Sequence, residues 1–476
     1  MPRLRPAFGV ALCALALSAT SFAAQKTAPT PVAAPLSFGD ARTQFHERAD
    51  IFRADEAEVA RARHAHESAK SLSGPKVEVS AMQIEGRKEL NLDVDVPAGL
   101  QGAINNNPTL SAIGLKVPGS FTIHQDMDLS GPRASISATW PIYTGGQISA
   151  YQNVLEQKIR EADADRMSRL EEKDIDLAAR YWGVQLARSV ENLRRDMLAD
   201  EEEQVHRAQR FEKKGVISRI ERMAVEVSRD AARRELVAAG TSARVAEAKL
   251  MSALREKTLP QLSTPLFVLT GDIGTLDEWL GRARANSPLL MRIDAQKSQA
   301  EEGVKASEGA WHPQVFAFGT KNLIKHYLTA VEPDWIAGIG VKFTLWDNRD
   351  RYSALAASRS QVTRATAARA EAENALTEAV EVAFLRTTQA REEYLLTSST
   401  VALAQENLRL REASFAEGLS TAIDVREART QLVGAQIAQR GAAYKFVVSW
   451  AMLHGTAGVM PDFLTTLDRP DAKRIN

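Results

Sequence analysis

The sequence predicts a mainly helical protein that also carries a membrane β-barrel. Three observations predict it. Two helical stretches of about 65 residues each dominate the chain. Four short segments outside them alternate apolar and polar residues as strands do. The second half then repeats the first, so that a helix–strand–strand–helix–helix unit occurs twice. Composition agrees. Ala is abundant and aromatics are only 6%, which favours helix over a compact aromatic-rich core. Lys+Arg and Asp+Glu are both 60, so no bulk positive charge is available to hold a nucleic acid. One cysteine, Cys13, rules out an intramolecular disulfide framework and a Cys-based zinc site.

The elements follow in order. Residues 1–23 read as a secretory signal peptide: Arg3 and Arg5, then an apolar run from Phe8 to Leu17, then Ser21-Phe22-Ala23 as the cleavage site. Leu12 stands where a lipoprotein signal would have a small residue, so no lipid anchor is expected. Residues 24–36 are an Ala/Pro/Thr-rich linker. The first repeat covers 37–255. It opens with a charged helix from Phe38 to about Leu72 and a strand over 76–85. Residues 86–132, rich in Gly, Asn and Pro, read as a long outer loop or irregular strand extension. Ala134, Ile136, Ala138, Trp140 and Ile142 alternate through a strand over 134–143, which Thr144-Gly145-Gly146 ends. A helical hairpin over 149–254 follows, with Leu177, Tyr181 and Leu186 on its apolar stripe and Gly215 at its turn. Residues 256–275 connect to the second repeat, 276–456, with strands over 314–320 and 335–345 and a hairpin over 350–455. Residues 457–476 form a C-terminal tail.

The repeat is registered by its glycines. Gly215 aligns with Gly418, an offset of 203 (418 − 215). At that offset Tyr181 meets Phe384, Ile220 meets Ile423, and Trp140 meets Phe343, with no gap. Nearer the start, Pro75 meets Pro313 at an offset of 238, so the first copy carries 35 extra residues (238 − 203) between its strands.

Helices of this length must pack lengthwise as a coiled-coil-like array. No apolar run reaches 18 residues outside the signal, so any membrane part consists of strands. Four strands cannot close a barrel, whose lower limit is about eight, and an open sheet edge invites pairing with other chains. The strands therefore close with those of other subunits: eight in a dimer, with a filled interior, or twelve in a trimer, wide enough for a pore. Trp140, Tyr143, Trp335, Phe343 and Trp346 lie near strand ends, where membrane-interface aromatics occur; the plain alternative is packing at a strand–helix junction.

No catalytic, cofactor-binding or metal-binding constellation is expected. His64 and His66 are two apart on a helix and point away from each other. Gly338-Ile339-Gly340 lies inside a strand, where paired glycines make room in a crowded sheet.

The chain resembles the TolC-like family of outer-membrane efflux proteins, from Leu36 to about Gly458. The residues that carry the resemblance are the duplicated element order, the strand-to-helix segment Thr139-Trp140-Pro141-Ile142-Tyr143-Thr144-Gly145-Gly146-Gln147, the tips Lys214-Gly215-Val216 and Glu417-Gly418-Leu419, and Asn286-Ser287-Pro288. In the second copy Asp347-Asn348-Arg349-Asp350 replaces the Gly-Gly turn. The resemblance implies a homotrimer with a twelve-stranded barrel in outer-membrane lipid of a Gram-negative cell, continued by a helical barrel in the periplasm. It implies an exit duct that exports small molecules or ions with a periplasmic adaptor and an inner-membrane pump of the resistance-nodulation-division or ABC type. A type I protein secretion duct is the alternative, and a non-pore periplasmic coiled-coil adaptor is the reading from another class. The adaptor reading leaves the strands and the duplication unexplained.

Two sites follow from the resemblance. Gly215, Val216, Gly418 and Leu419 at the hairpin tips would meet the adaptor, although a helix C-cap alone explains the glycines. Asp424 and Glu427 would line the periplasmic aperture, although acids are favoured at any helix N-terminus. The first repeat has Glu221 and Ala224 at those positions, and Phe415 and Ser420 stand where gate partners differ in the best-known member.

Overall fold

The computed structural model describes residues 35–475 apart from 129, 327–331, 347, 349 and 418. The signal segment, most of the linker and the second tip glycine, Gly418, therefore lie outside the described residues.

The first repeat begins with α1 (Phe38–Arg48) and α2 (Asp50–Lys70). The sequence reads as one helix here, but Ala49 adopts an extended ψ of 120° and separates two. Next come β1 (Lys76–Ile84), β2 (Arg87–Asp95), α3 (Ala98–Asn105), α4 (Pro108–Ala112), β3 (Ser120–Asp128) and β4 (Gly131–Tyr143). The hairpin is α5 (Gln147–Lys213) and α6 (Arg219–Leu254). After β5 (Leu266–Leu269), the second repeat supplies α7 (Leu276–Asn286), α8 (Pro288–Gly309), β6 (Gln314–Asn322), β7 (Trp335–Lys342), α9 (Arg351–Ala416) and α10 (Ala422–Thr456). The chain closes with α11 (Met460–Thr465) and β8 (Ala472–Ile475).

α5 has 67 residues and α9 has 66, so each runs about 100 Å at 1.5 Å per residue. No single core covers that length. α2 and α8 pack along α5, α8 also along α9, and α6 and α10 pack back along the long helices from the tips. The interior stays Ala-rich, with Ala164, Ala178, Ala372, Ala383 and Ala390 all buried. Small side chains let such helices approach closely over many turns.

The largest side chains gather midway along the helices. Phe38, Tyr181, Trp182, Phe267, Phe446 and Phe463 are fully buried together. Burial of each such side chain stabilises the fold by about 1.5–3 kcal/mol. Their polar atoms are satisfied: the Tyr181 hydroxyl donates to the Leu36 carbonyl at 2.7 Å, and the Trp182 indole to the Pro265 carbonyl at 3.0 Å. Here the connector and the tail depart from their sequence reading. β5 and β8 pair antiparallel, and α11 seats Phe463 in the core, so both segments belong to the middle of the molecule. Each is four residues long with no alternation to reveal it. Nearby, Gly458 turns at φ +71°, and the carbonyl oxygen of Asn286 lies 2.5 Å from where its Cβ would be. That close approach fixes the end of α10 on the α7–α8 corner, where Pro288 starts α8.

At one end of the helices β1, β4, β6 and β7 form an antiparallel sheet in the order β1-β4-β6-β7. Both outer edges, β1 and β7, have no partner strand among the described residues. The sheet is two-faced. On one side lie Val77, Val79, Ile136, Ile339 and Val341; Val79 and Ile339 are 69% and 71% exposed. On the other lie Ser80, Ser135, Ser137 and Thr320. Phe316 and Phe318 cover Gly340 and Gly338 on that second side, where a Cβ on Gly340 would come within 2.6 Å of the Phe316 ring. The paired glycines do make room in the sheet. Pro141, which cannot donate to a ladder, sits where β4 has run past the end of β1 and beside a register shift against β6.

Residues 86–132 are more regular than the sequence reading allows. β2 and β3 pair as a second antiparallel ribbon, and α3 and α4 cap its end. Asn105 clamps that cap by bonding both the N–H and the carbonyl of Val117. The Gly and Asn that suggested a loop fall mainly in this cap.

Candidate functional site

The candidate interface aromatics fall at two levels. Trp140, Tyr143, Phe343 and Trp346 lie at the helix-ward end of the sheet, and Trp335 begins β7 at the opposite end. All five are exposed, from 45% for Tyr143 to 84% for Trp346. Trp140 anchors its indole N–H on the Ser73 carbonyl at 2.8 Å. The strands between the two levels are 8 to 13 residues long, and about 9–11 tilted residues span a bilayer.

The tips lie at the other end. Gly215 takes φ +73°; its N–H bonds the Glu212 carbonyl at 2.8 Å and the Val216 N–H bonds Phe211 at 2.9 Å. This pair of bonds is a Schellman cap. Leu419 repeats the longer bond onto Ser414 at 2.8 Å. The cap explains the glycine but not its neighbours. Val216 is 66% exposed and Leu419 79%. Ile220 and Ile423, also largely exposed, extend each tip by one turn. These two isoleucines are partners at the repeat offset of 203, the one sequence signal that both belong to the tips.

Asp424 and Glu427 start α10 just beyond the second tip. Thr421 caps this helix, its hydroxyl accepting from the Asp424 N–H at 3.2 Å. The Asp424 carboxylate accepts in return from the Thr421 N–H at 2.8 Å and hydroxyl at 2.7 Å, and from the Ser420 hydroxyl at 3.2 Å. The Thr421 N–H and hydroxyl hold that carboxyl below the usual carboxylate range, so it stays charged. Ser218 and Glu221 build the same capping box on α6. Asp424 therefore has a local structural duty that the pattern Thr-x-x-Asp carries. Glu427 is exposed one turn further on.

Beside these acids the two hairpins are tied by charge. Arg429 of α10 bonds Asp200 of α5 at 3.2 Å and Glu412 of α9 at 2.6 Å. Arg426 donates to the Ser228 hydroxyl of α6 at 2.7 Å. Between them Glu201 is buried; burial pushes its carboxyl up against the pull of Arg426 and Arg429. These residues line an open cleft of about 520 Å³ with Phe415 and Ile423. Sequence reasoning missed this network because its cross-hairpin pairs, Arg429–Asp200 and Arg426–Ser228, are 229 and 198 positions apart and look like ordinary wet-face groups.

Comparison with known proteins fits this geometry. Residues 279–459 match the family described as outer membrane efflux protein. The solved structure of CusC superposes with a TM-score of 0.70 at 12% identity, covering 88% of this chain and 92% of that one. The Campylobacter jejuni CmeC outer membrane channel gives 0.69 at 11% identity over 89% and 86%. The open state of the Neisseria gonorrhoeae MtrE outer membrane channel gives 0.68 at 16% identity over 89% and 89%. The fold is that of the TolC-like outer-membrane channels. No curated protein matches the chain in sequence.

One departure from the TolC-like pattern now has a physical account. Gly145 takes φ +65° in the first copy, and its backbone is so close to Gly309 that a Cβ on either would strike the other's carbonyl oxygen. At the repeat offset Gly145 corresponds to Asn348, which takes φ +55°. Asn tolerates the left-handed region better than most residues. The Trp346 indole bonds the Asn348 side chain at 2.8 Å, and Asp350 caps α9 through the Ser353 N–H. At this position the second copy keeps the left-handed backbone with Asn in place of Gly.

Proposed function

We propose that this chain is the outer-membrane exit duct of a tripartite efflux pump, a homotrimer exporting small molecules or ions. The observation that carries the reading is the four-stranded sheet with both edges open and one apolar face, mounted on helices about 100 Å long. Three copies, β7 of one pairing with β1 of the next, close twelve strands and leave a pore. The aromatics at both ends of the sheet sit in the two interfaces of the outer membrane. The helices reach into the periplasm, and the apolar tips around Val216 and Leu419 meet an adaptor that joins the duct to an inner-membrane pump. The N-terminal segment directs export and is removed without lipidation. Mass measurement in detergent is expected to give three chains, and the trimer is expected to form discrete channels in a planar bilayer. A stable folded monomer would sink the reading.

Asp424 and Glu427 line the periplasmic mouth, six carboxylates around the threefold axis, which makes the pore cation-selective. Arg429, bridging Asp200 and Glu412, holds the closed state in place of the residues that Phe415 and Ser420 replace. Because Asp424 also completes the capping box of α10, Asp424→Ala weakens the helix end as well as removing charge. Glu427→Gln is the cleaner variant. Single-channel recording is expected to show lower cation selectivity in Glu427→Gln, lower still with Asp424→Ala, and weaker block by multivalent cations added on the periplasmic side. Unchanged selectivity and block would reduce both acids to helix-end charges.

A further inference from the structure

The ribbon of β2 and β3 reverses the polarity of the sheet it grows from. In β1 and β4 the pore-facing side carries Ser80 and Ser135, whose hydroxyls lie 3.0 Å apart, while Val79 and Ile136 face out. In the ribbon, Asn91 bonds His124 at 2.6 Å and Asp93 bonds Thr122 at 2.5 Å on one side. Leu92 beside Ile123 and Val94 beside Phe121 make the other. The partners Lys76–Thr139 and Asp95–Ser120 both add to 215, so the two ladders keep one register on either side of the break between them. Side chains alternate strictly along such a strand. Leu92 and Val94 therefore continue the side of Ser80, the pore side.

Past the barrel no element among the described residues packs against this side. The β4–β6 ladder stops at Ser135–Asn322. From Ile84 the chain extends through β2 to Asp95, at most about 36 Å at 3.3 Å per residue. Leu92, Val94, Phe121 and Ile123 are each 38–49% exposed. A two-stranded ribbon with a bare apolar side is marginal in water. Lipid lies on the outer side of a barrel wall, where the ribbon carries Asn91, Asp93, Thr122 and His124. The inner side meets only the axis and the other copies. Gly86 and Gly131, the latter at φ +147°, lie at the ribbon's base, where a bend costs least.

We propose that in the trimer the three β2–β3 ribbons lean over the outer mouth and pack these apolar sides on one another, forming an apolar constriction that closes the pore by dewetting. This rests on the trimeric duct reading. The four side chains from each copy make a ring that excludes hydrated ions, and the charged outer sides keep the cap soluble.

The test uses the full chain, whose only native cysteine, Cys13, lies in the predicted signal segment. Purified trimers of Leu92→Cys and Phe121→Cys are expected to cross-link between subunits with a short bismaleimide, and Asn91→Cys trimers are not. Single-channel conductance is expected to rise severalfold in Val94→Ser with Phe121→Ser, and further when residues 87–128 are removed. The point variants decide the matter if the deletion fails to assemble. Intact trimers with equal cross-linking at positions 91 and 92, or with labelling of Leu92→Cys by a lipid-soluble maleimide, would overturn the proposal alone, as would unchanged conductance. Monomers in detergent would overturn the duct reading together with it.

Discussion

Val216→Asp and Leu419→Asp are each expected to abolish export while the trimer persists. The two side chains contribute little to the fold: they are 66% and 79% exposed, and the bonds beside them are made by backbone groups. A carboxylate there costs little in the free protein. Buried against an apolar partner it would have to shed its water unpaired, at a cost of several kcal/mol. Export assayed in cells, with trimer content measured alongside, separates loss of docking from loss of protein. Val216→Leu should export normally, because it keeps the apolar contact. Normal export in both acidic variants would remove the docking claim, and with it the roles proposed for Ile220 and Ile423.

Ile339→Arg is expected to keep the chain out of the membrane. Phe316 and Phe318 cover Gly340 and Gly338 on one face of β7, which places Ile339, 71% exposed, in the middle of the other. An Arg at the bilayer midplane costs a barrel about 2–4 kcal/mol, and three copies would raise that to about 6–12 kcal/mol per trimer. Ser137→Arg is the control. Ser137 lies opposite Glu78 on the other face, the proposed pore side, where a guanidinium stays wet and gains a counter-charge. The heat-modifiable, detergent-extracted fraction should be lost in the first variant and kept in the second. The reverse pattern would mean that the faces of the sheet are assigned the wrong way round.

Much of this was legible in the sequence, because long helices and duplicated strands leave periodic signals. The alternation of Ala134, Ile136 and Ala138 located β4, and Gly215 located a tip whose backbone geometry requires a residue free to take φ +73°. What was hidden had no period to show. β5 and β8 are four residues each, β5 fully buried and β8 partly exposed, and they find each other across some 200 residues. The ribbon of β2 and β3 alternates, but with the opposite phase to β1, so read as a continuation of that strand it looks broken. Trp182, at the centre of the core, falls one residue off the stripe that Leu177 and Tyr181 define. The aperture acids illustrate a different limit. Thr421-x-x-Asp424 spells a capping box, and one local motif can serve both a helix end and a pore mouth.

The open edges of the sheet also set the order of events in biogenesis. Helical contacts in α5–α6 and α9–α10 are local, so these hairpins fold within one chain, on the fast side of the folding-rate spectrum. The β7–β1 seam does not exist in one chain. In the proposed trimer its closure is a meeting of three molecules, and its rate rises steeply with their concentration. Until then, on the proposed reading, each new subunit carries two adhesive strand edges. Slow synthesis would therefore favour stalled, half-finished subunits, while crowding with unfinished neighbours would favour mispaired ones. The time a subunit spends waiting for its two companions, more than the stability of any helix, becomes the vulnerable interval in making this protein.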